Sequence, residues 1–179
     1  MSEYPDTGTR RYIAWISVAL LLVIVDQATK WAIVEWVPLY GKVPLNDFMN
    51  LTHQQNAGAA FSFLAGASGW QRWFFVVLAS VVSVVIAVWL WRIRKEAPLI
   101  LMAGLALVLG GAVGNLIDRT RLGYVTDFIQ VWFGNWAFPS FNVADAGISV
   151  GAALLVIDAL FVSGRQTKKA SEPLKGSDP

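Results

Sequence analysis

The segment WFFVVLASVVSVVIAVWLW, residues 73–91, contains 19 consecutive residues without a charged side chain. A helix of this length crosses the roughly 30 Å hydrocarbon layer of a bilayer, because each residue adds about 1.5 Å. The next apolar run, APLILMAGLALVLGGAVGNLI at residues 97–117, has 21 uncharged residues. We therefore predict two neighbouring membrane-spanning helices joined by a short basic link.

Two further apolar segments flank this pair. Residues 12–34 are apolar apart from Asp26 and Lys30, and residues 146–162 contain one charge, Asp158. Each is long enough to span a bilayer. The links between the four spans are short or moderate, so we predict one all-α membrane domain over residues 1–164. The polar residues 165–179 are predicted to be a disordered cytoplasmic tail.

The composition supports a membrane protein and excludes several kinds of site. Hydrophobic residues make up 56% of the 179 residues and charged residues only 15%, which is well below the roughly 25% usual in soluble domains. The chain has no cysteine, which excludes disulfides, thiolate metal sites and thiol catalysis. It has a single histidine, which excludes a multi-histidine metal site. The net charge of +2 gives no reason to expect a nucleic-acid partner.

The basic residues predict the orientation. Nine of them lie at the N-terminus, between spans two and three, or after span four: Arg10, Arg11, Arg92, Arg94, Lys95, Arg165, Lys168, Lys169 and Lys175. Because the side richer in Lys and Arg stays in the cytoplasm, both termini are predicted to be cytoplasmic. The outer links are then residues 36–70 and 118–141. An interfacial aromatic belt is predicted from Trp31, Trp36, Trp70, Trp73, Trp89, Trp91, Trp132 and Trp136.

Six of the acidic residues lie towards this outer side: Asp26, Glu35, Asp47, Asp118, Asp127 and Asp145. An ionised side chain at bilayer depth costs at least ~2.5–3.5 kcal/mol, so it is normally paired or functional. Asp26 precedes Lys30 by four residues, the favourable order for an ion pair on one helix. We interpret these two as a structural pair. The alternative is that Lys30 acts as a general base for Ser62 or Ser140.

Several polar residues of the outer links have simple structural interpretations. His53 stands among polar residues and is interpreted as a solvated loop histidine. Asn56 and Gly58 belong to a small-residue stretch that predicts a turn near the membrane surface. Asn115, Asp118 and Arg119 mark the outer end of span three and are interpreted as a hydrogen-bond hub. Residues 50–52 and 60–63 are candidates for short strands.

Asp127 and Asp145 are the strongest catalytic candidates. Asp127 is flanked by apolar and aromatic residues, so burial should raise its pKa. Asp145 has a specific structural explanation, in which Asn142 caps span four and Asp145 occupies the third helical position. If both acids meet at the outer end of the bundle, they form a carboxyl pair in which one activates water and the other protonates the leaving group. A small proton-coupled transporter and a non-catalytic scaffold remain alternatives, since ion-pathway acids give a similar pattern.

Five motifs in register resemble the lipoprotein signal peptidases (signal peptidase II), the membrane aspartyl peptidases of bacteria. They are DQATK at residues 26–30, NAGAAFS at 56–62, GGAVGNLIDR at 110–119, VTDF at 125–128 and NVAD at 142–145. The resemblance covers about residues 25–158. One small departure is Ala146, where many members of the family have serine.

The resemblance implies a role for each polar position. Asp127 and Asp145 correspond to the catalytic aspartates, and Asp26 and Lys30 to a supporting polar pair. The positions that shape the site or hold the substrate correspond to Asn56, Gly58, Asn115, Asp118, Arg119 and Asn142. No metal or organic cofactor is implied.

The resemblance also implies the setting of the reaction. The enzyme would lie in the bacterial inner membrane as a multi-pass protein, with its active site at the outer face. The outer links would form a small β-sheet cradle and a short amphipathic helix. The substrate would be a prolipoprotein whose cysteine carries diacylglycerol, cleaved just before that cysteine. Membrane lipids and inhibitors of the globomycin type are implied as partners, and a monomer is expected.

The predicted orientation can be tested with reporter fusions that distinguish the two sides of the membrane. A reporter inserted after Lys95 should give a cytoplasmic signal, because the basic link is retained inside. A reporter inserted after Asp47, in the first outer link, serves as the matched control and should give the opposite signal. A periplasmic signal at Lys95 would reverse the topology.

Overall fold

A computed structural model describes residues 6–58 and 70–163, with side chains up to residue 161. Four long helices carry the fold: α1 (Thr7–Trp36), α2 (Trp70–Ile93), α3 (Leu99–Arg121) and α4 (Val143–Ile157). A π-helical turn, Asp158–Ser163, extends α4. The four strands are β1 (Lys42–Asn46), β2 (Met49–Asn56), β3 (Val125–Phe133) and β4 (Trp136–Ala137). The prediction of a four-helix membrane fold with a small sheet is confirmed.

The first three helices are longer than the apolar segments from which they were predicted. The first starts at Thr7 rather than near residue 12, because the Asp6 carboxylate accepts a hydrogen bond from the Thr9 backbone N–H at 2.8 Å and caps it. The third continues to Arg121 beyond the apolar run. Arg72 on α2 donates to the carbonyls of Arg119 and Thr120 at 2.8 and 2.7 Å, which satisfies the end of α3.

Helix α3 lies at the centre of the bundle. Its most apolar stretch is 56% buried, whereas those of α1 and α2 are 11% buried and that of α4, with its π-helical extension, 22%. The other helices present large apolar side chains outwards, as expected where lipid is the surrounding solvent. The tryptophans predicted for the interfacial belt include strongly exposed examples, such as Trp36 and Trp31.

Glycines bring the other helices close to α3. A Cβ atom on Gly111 would collide with the carbonyl oxygen of Ala144 on α4. A Cβ atom on Gly110 would lie 2.7 Å from the Ala19 carbonyl oxygen on α1, and one on Gly151 would lie 2.7 Å from the Gly104 carbonyl oxygen. Small residues at such contacts let backbones approach closely, which is how helices associate in lipid.

The outer links form one antiparallel sheet in the order β1-β2-β3-β4. The pairing of β2 with β3 shifts by one residue, from Leu51 opposite Ile129 to Gln54 opposite Asp127. This bulge reverses the face on which the end of β2 presents its side chains.

The candidate strand at residues 50–52 lies within β2, while residues 59–69 and 164–179 lie outside the described residues. The candidate strand at residues 60–63 and the predicted tail are therefore not described, and the described parts of the outer links contain no short amphipathic helix.

The interpretation of His53 as a solvated loop residue is wrong. His53 lies in β2 and is 6% exposed. Its Nδ1 is 2.8 Å from the carbonyl oxygen of Val37, the residue that ends α1. His53 lies within the β2 bulge, and its contact with Val37 joins the sheet to the first helix.

The close packing of α3 on α4 predicts that Gly111→Ala destabilises the protein. The added methyl group must push the Ala144 backbone away, and overpacking of this kind costs about 1–3 kcal/mol. Thermal unfolding in detergent should show a lowered midpoint. Ala152→Val places its extra methyl groups on the exposed face of α4 and should leave the midpoint nearly unchanged. Equal midpoints for the two variants would contradict the packing shown here.

Candidate active site

A cavity of about 970 Å³ opens at the end of the bundle where α3 ends and α4 begins. Its wall contains both candidate acids, Asp127 from β3 and Asp145 from the first turn of α4. The sheet with the two residues after β2, helices α2, α3 and α4, and the segment before α4 supply the rest of the wall. The other residues in it are Gln54, Gln55, Asn56, Ala57, Gly58, Phe75, Arg119, Phe138, Pro139, Ser140, Phe141, Ala146, Ser149 and Val150.

Asp127 is held by two asparagine amides. Its side chain sits at the edge of the cavity, but the residue is only 3% exposed. Oδ2 accepts from Asn56 Nδ2 at 3.0 Å, and Oδ1 accepts from Asn142 Nδ2 at 2.7 Å. A carboxylate has about four acceptor positions, so both oxygens keep capacity for a further partner. The bulge in β2 accounts for the contact with Asn56, because it aims the end of that strand at Asp127.

Asp145 is both a helix cap and a member of the site. Asn142 is the N-cap of α4, and its Oδ1 accepts from the Asp145 backbone N–H at 2.9 Å. Asp145 Oδ2 accepts in return from the Asn142 backbone N–H at 3.3 Å, which completes a capping box. The predicted cap is therefore confirmed. Asp145 Oδ1 has a different donor, Asn115 Nδ2 at 2.7 Å, so the cap does not account for the whole carboxylate.

Burial is the main influence on the protonation of Asp127. It raises the pKa of this carboxyl group from 3.8 to about 6. The hydrogen bonds from Asn56 and Asn142 and the charge of Lys30 lower the pKa, while the charge of Asp145 raises it. Asp127 therefore keeps its proton up to a higher pH than an ordinary aspartic acid does.

A buried ion cluster lies behind the two acids. Lys30 Nζ is 2.8 Å from Asp26 Oδ2 and 2.8 Å from Asp118 Oδ2, and it donates to Asn115 Oδ1 at 3.0 Å. Gln27 Nε2 donates to Asp118 Oδ1 at 2.8 Å and to Asp26 Oδ2 at 3.2 Å. Asp26 Oδ1 accepts from the Ala144 backbone N–H of α4 at 2.9 Å.

The contacts of this cluster do not support the alternative that Lys30 is the general base for Ser62 or Ser140. Its three donors are used by two carboxylates and one amide oxygen. The Ser140 hydroxyl lies 3.3 Å from the Thr52 hydroxyl instead. Ser62 falls among the residues that the structure does not describe. The interpretation of Asp26 and Lys30 as an ion pair agrees with the geometry, which adds Asp118 as a third member.

Arg119 supplies positive charge to the cavity. It interacts electrostatically with Asp145 and Asp127, and its guanidinium lies 5.0 Å from the ring centroid of Phe75. Its Nε has no hydrogen-bond partner among the described residues. Gly58 also lies against the Phe75 ring: its φ is 97°, and a Cβ atom there would be 2.6 Å from the ring. Arg119 and Gly58 are thus on the wall with the two acids.

The two candidate acids, the supporting pair and the positions expected to shape the site come together at this end of the bundle: Asp26, Lys30, Asn56, Gly58, Asn115, Asp118, Arg119, Asp127, Asn142 and Asp145. Three residues were missed: Gln27, which belongs to the ion cluster and not to the cavity wall, and Ser149 and Phe75, which line the cavity. Gln27 is part of the DQATK motif, but nothing in the motif assigned it a partner. Ser149 follows Asp145 by four residues, and this helical spacing is a signal that would have found it. Phe75 carries no such signal, because it is one aromatic residue within a uniformly apolar span.

Comparisons with known proteins agree on one family. The model of the signal peptidase (SPase) II family matches residues 18–161. A lipoprotein signal peptidase of Acinetobacter baylyi is 46% identical over 158 residues, covering 88% of each chain. One of Pseudomonas putida is 45% identical, covering 95% of this chain and 97% of the relative. A bacterial membrane enzyme solved by the in meso method at 1.9 Å superimposes with a TM-score of 0.72 at 31% identity, covering 83% of this chain and 94% of the other.

The raised pKa of Asp127 predicts a specific pH dependence of stability. The folded state binds this proton more tightly than the unfolded chain, so the contribution is complete below about pH 4 and is lost as the pH rises through about 6. This contribution to the free energy of unfolding is at most about 3 kcal/mol, because each tenfold change in proton affinity is worth about 1.4 kcal/mol. Asp127→Asn should remove this part of the dependence in thermal unfolding between pH 4 and 7.

The matched control is Asp47→Asn, which changes an exposed acid of the first outer link. This variant should keep the pH dependence of the unmodified protein. If Asp127→Asn and Asp47→Asn give the same curve, Asp127 is not the group that titrates with the raised pKa.

Proposed function

Since the chain belongs to the signal peptidase II family, we propose that Asp127 and Asp145 are the catalytic pair with which it works. The chain is a membrane aspartic endopeptidase that removes signal peptides from prolipoproteins. The observation that carries the assignment of the pair is that the two carboxyl groups share one cavity wall while asparagine amides hold each of them. None of the reported relatives is a transporter, so that alternative has no support.

The two acids have different environments, which suits them to different tasks. Asp145 lies in the first turn of α4, where the helix dipole stabilises negative charge. It is the proposed base, which takes a proton from a water molecule as the water oxygen attacks the scissile carbonyl carbon. Asp127, with its pKa raised to about 6, is the proposed acid, which protonates the carbonyl oxygen as charge develops there.

Collapse of the resulting gem-diol completes the reaction. The proton on Asp145 passes to the amide nitrogen, the C–N bond breaks, and the hydroxyl proton of the gem-diol returns to Asp127. One water is consumed, and the products are a carboxylic acid and an amine. Both aspartates end in their starting protonation states, so the pair is ready for another substrate.

Arg119 and the apolar wall are proposed to hold the substrate. Arg119 offers guanidinium donors to backbone carbonyls of an extended peptide, and its contact with Phe75 fixes the direction of the side chain.

The diacylglyceryl-modified prolipoprotein is proposed to be cut just before its modified cysteine. A signal peptide spans the membrane as a helix, so a site at the end of the bundle accepts it laterally while water enters from outside. Delivery within the plane of the membrane also lowers the entropic cost of meeting the site.

The location of this multi-pass membrane protein is proposed in more detail. The excess of basic residues at the termini and at the α2–α3 link supports cytoplasmic termini and an active site on the outer face of the bacterial inner membrane. Action as a monomer and inhibition by globomycin-type cyclic peptides are also proposed, and both rest on the resemblance of the motifs.

The test of the catalytic pair is cleavage of a diacylglyceryl-modified prolipoprotein by the purified protein, followed on a gel. Asp127→Asn and Asp145→Asn should each abolish cleavage, because an amide is nearly isosteric with the acid but cannot exchange the proton. The double variant should be about as inactive as either single variant, since residues that act as a unit are not additive.

Asp47→Asn is the control and should cleave at the normal rate. If Asp145 served only as a helix cap, its Asn variant would lose about 1 kcal/mol of stability and remain active. Near-normal cleavage by either single variant would therefore overturn the assignment of the pair.

A further inference from the structure

Three asparagine side chains place the two catalytic carboxyl groups. Asn56 and Asn142 donate through Nδ2 to Asp127, and Asn115 donates through Nδ2 to Asp145. Each amide has one donating end and one accepting end. It serves the site only while its NH₂ group faces the carboxylate, so something must prevent it from turning over.

A hydrogen-bond donor at the amide oxygen fixes each orientation. Asn56 Oδ1 accepts from the Gly58 backbone N–H at 2.9 Å. Asn142 Oδ1 accepts from the Asp145 backbone N–H, also at 2.9 Å. A backbone N–H cannot accept, so neither of these amides can turn over without losing a bond.

Asn115 differs from the other two because its fixed donor is a side chain. The oxygen of its amide accepts from Lys30 Nζ at 3.0 Å, with a longer contact of 3.3 Å from Asn142 Nδ2. An ammonium group can only donate and a carboxylate can only accept. Lys30 on one side and Asp145 on the other therefore determine which end of the Asn115 amide faces which partner.

We propose that Lys30 is a positioning residue for the peptidase reaction, which orients the Asn115 amide and through it the Asp145 carboxylate. This inference rests on the proposed function, because it assumes that Asp145 is catalytic. Lys30 does for Asn115 what backbone N–H groups do for Asn56 and Asn142. The buried ion cluster thus has a second role besides holding α1 to α3.

Loss of the ammonium group has a defined consequence. Without Lys30, the oxygen of Asn115 keeps only the longer contact with Asn142, so the orientation of the amide is held less firmly. In the turned orientation its oxygen would face the Asp145 carboxylate, and two acceptors repel each other. The 2.7 Å bond that holds Asp145 would be lost, while the cavity wall that holds the substrate would remain.

Lys30→Met tests this because methionine is similar in length but has no donor. In the purified full-length chain, kcat for diacylglyceryl-modified prolipoprotein should fall by about 100-fold, the scale seen when a preorganised donor is removed from an active site. KM should stay within about threefold of the unmodified value, since substrate contacts are kept. A fall in kcat of less than about threefold in folded protein would overturn the proposal.

Gln27→Met is the matched control for damage to the ion cluster. Gln27 donates to Asp26 and Asp118, as Lys30 does, but makes no hydrogen bond with Asn115 among the described residues. Its variant should lower the unfolding midpoint while kcat stays within about threefold of normal. If Gln27→Met lowers kcat as much as Lys30→Met, Lys30 acts only through stability and the proposal fails.

A second variant keeps the test valid if Lys30→Met does not fold. Lys30 is one positive charge between two acids, so Lys30→Met/Asp118→Asn restores the formal charge of the cluster. Its kcat should be about 100-fold below that of Asp118→Asn alone, and equal values would overturn the proposal.

The unmodified protein and Asp127→Asn are measured beside these variants. Absence of cleavage by the unmodified protein, or cleavage by Asp127→Asn, would instead contradict the proposed function.

Discussion

Charged side chains inside a membrane bundle must be paired, and one lysine satisfies most of that requirement here. Lys30 of α1 lies between Asp26 of the same helix and Asp118 of α3. The free oxygen of Asp26 accepts from the Ala144 backbone of α4. Three helices therefore meet at this ion cluster. Breaking a buried pair by removing one partner typically costs about 3–5 kcal/mol, so this junction holds together the end of the bundle that carries the site.

Close helix packing is what makes the junction possible. Gly114 lies against the Asp26 carboxylate, where a Cβ atom would be 2.7 Å from Oδ2. Gly111 gives the same freedom to the α4 backbone at Ala144. Because these positions have no side chain, the polar groups of α1, α3 and α4 reach one another directly. The ion cluster and the glycines are thus parts of one arrangement, and it places the N-terminus of α4 beside the site.

The sheet completes the site by a feature that sequence patterns do not reveal. Asp127 reaches the cavity on β3, and Asn56 reaches Asp127 only because the β2–β3 pairing shifts by one residue. The same bulge contains the buried His53, which the polar sequence around it had suggested was solvated. A shift of one residue exchanges the two faces of a strand, so alternation along the chain cannot predict which side chains point inwards.

The sequence by itself determined the four spans, the ion pair of Asp26 with Lys30 and the cap of Asn142 on α4, because these depend on helical length and on spacings of three or four residues. The five motifs likewise indicated the family and its acids. Only the tertiary structure decided that Asp118 joins the ion pair, that Phe75 lines the cavity, and which way each asparagine amide points. Those features depend on the distance between segments far apart in the chain. That distance is set by glycine contacts and a strand register, which no local pattern encodes.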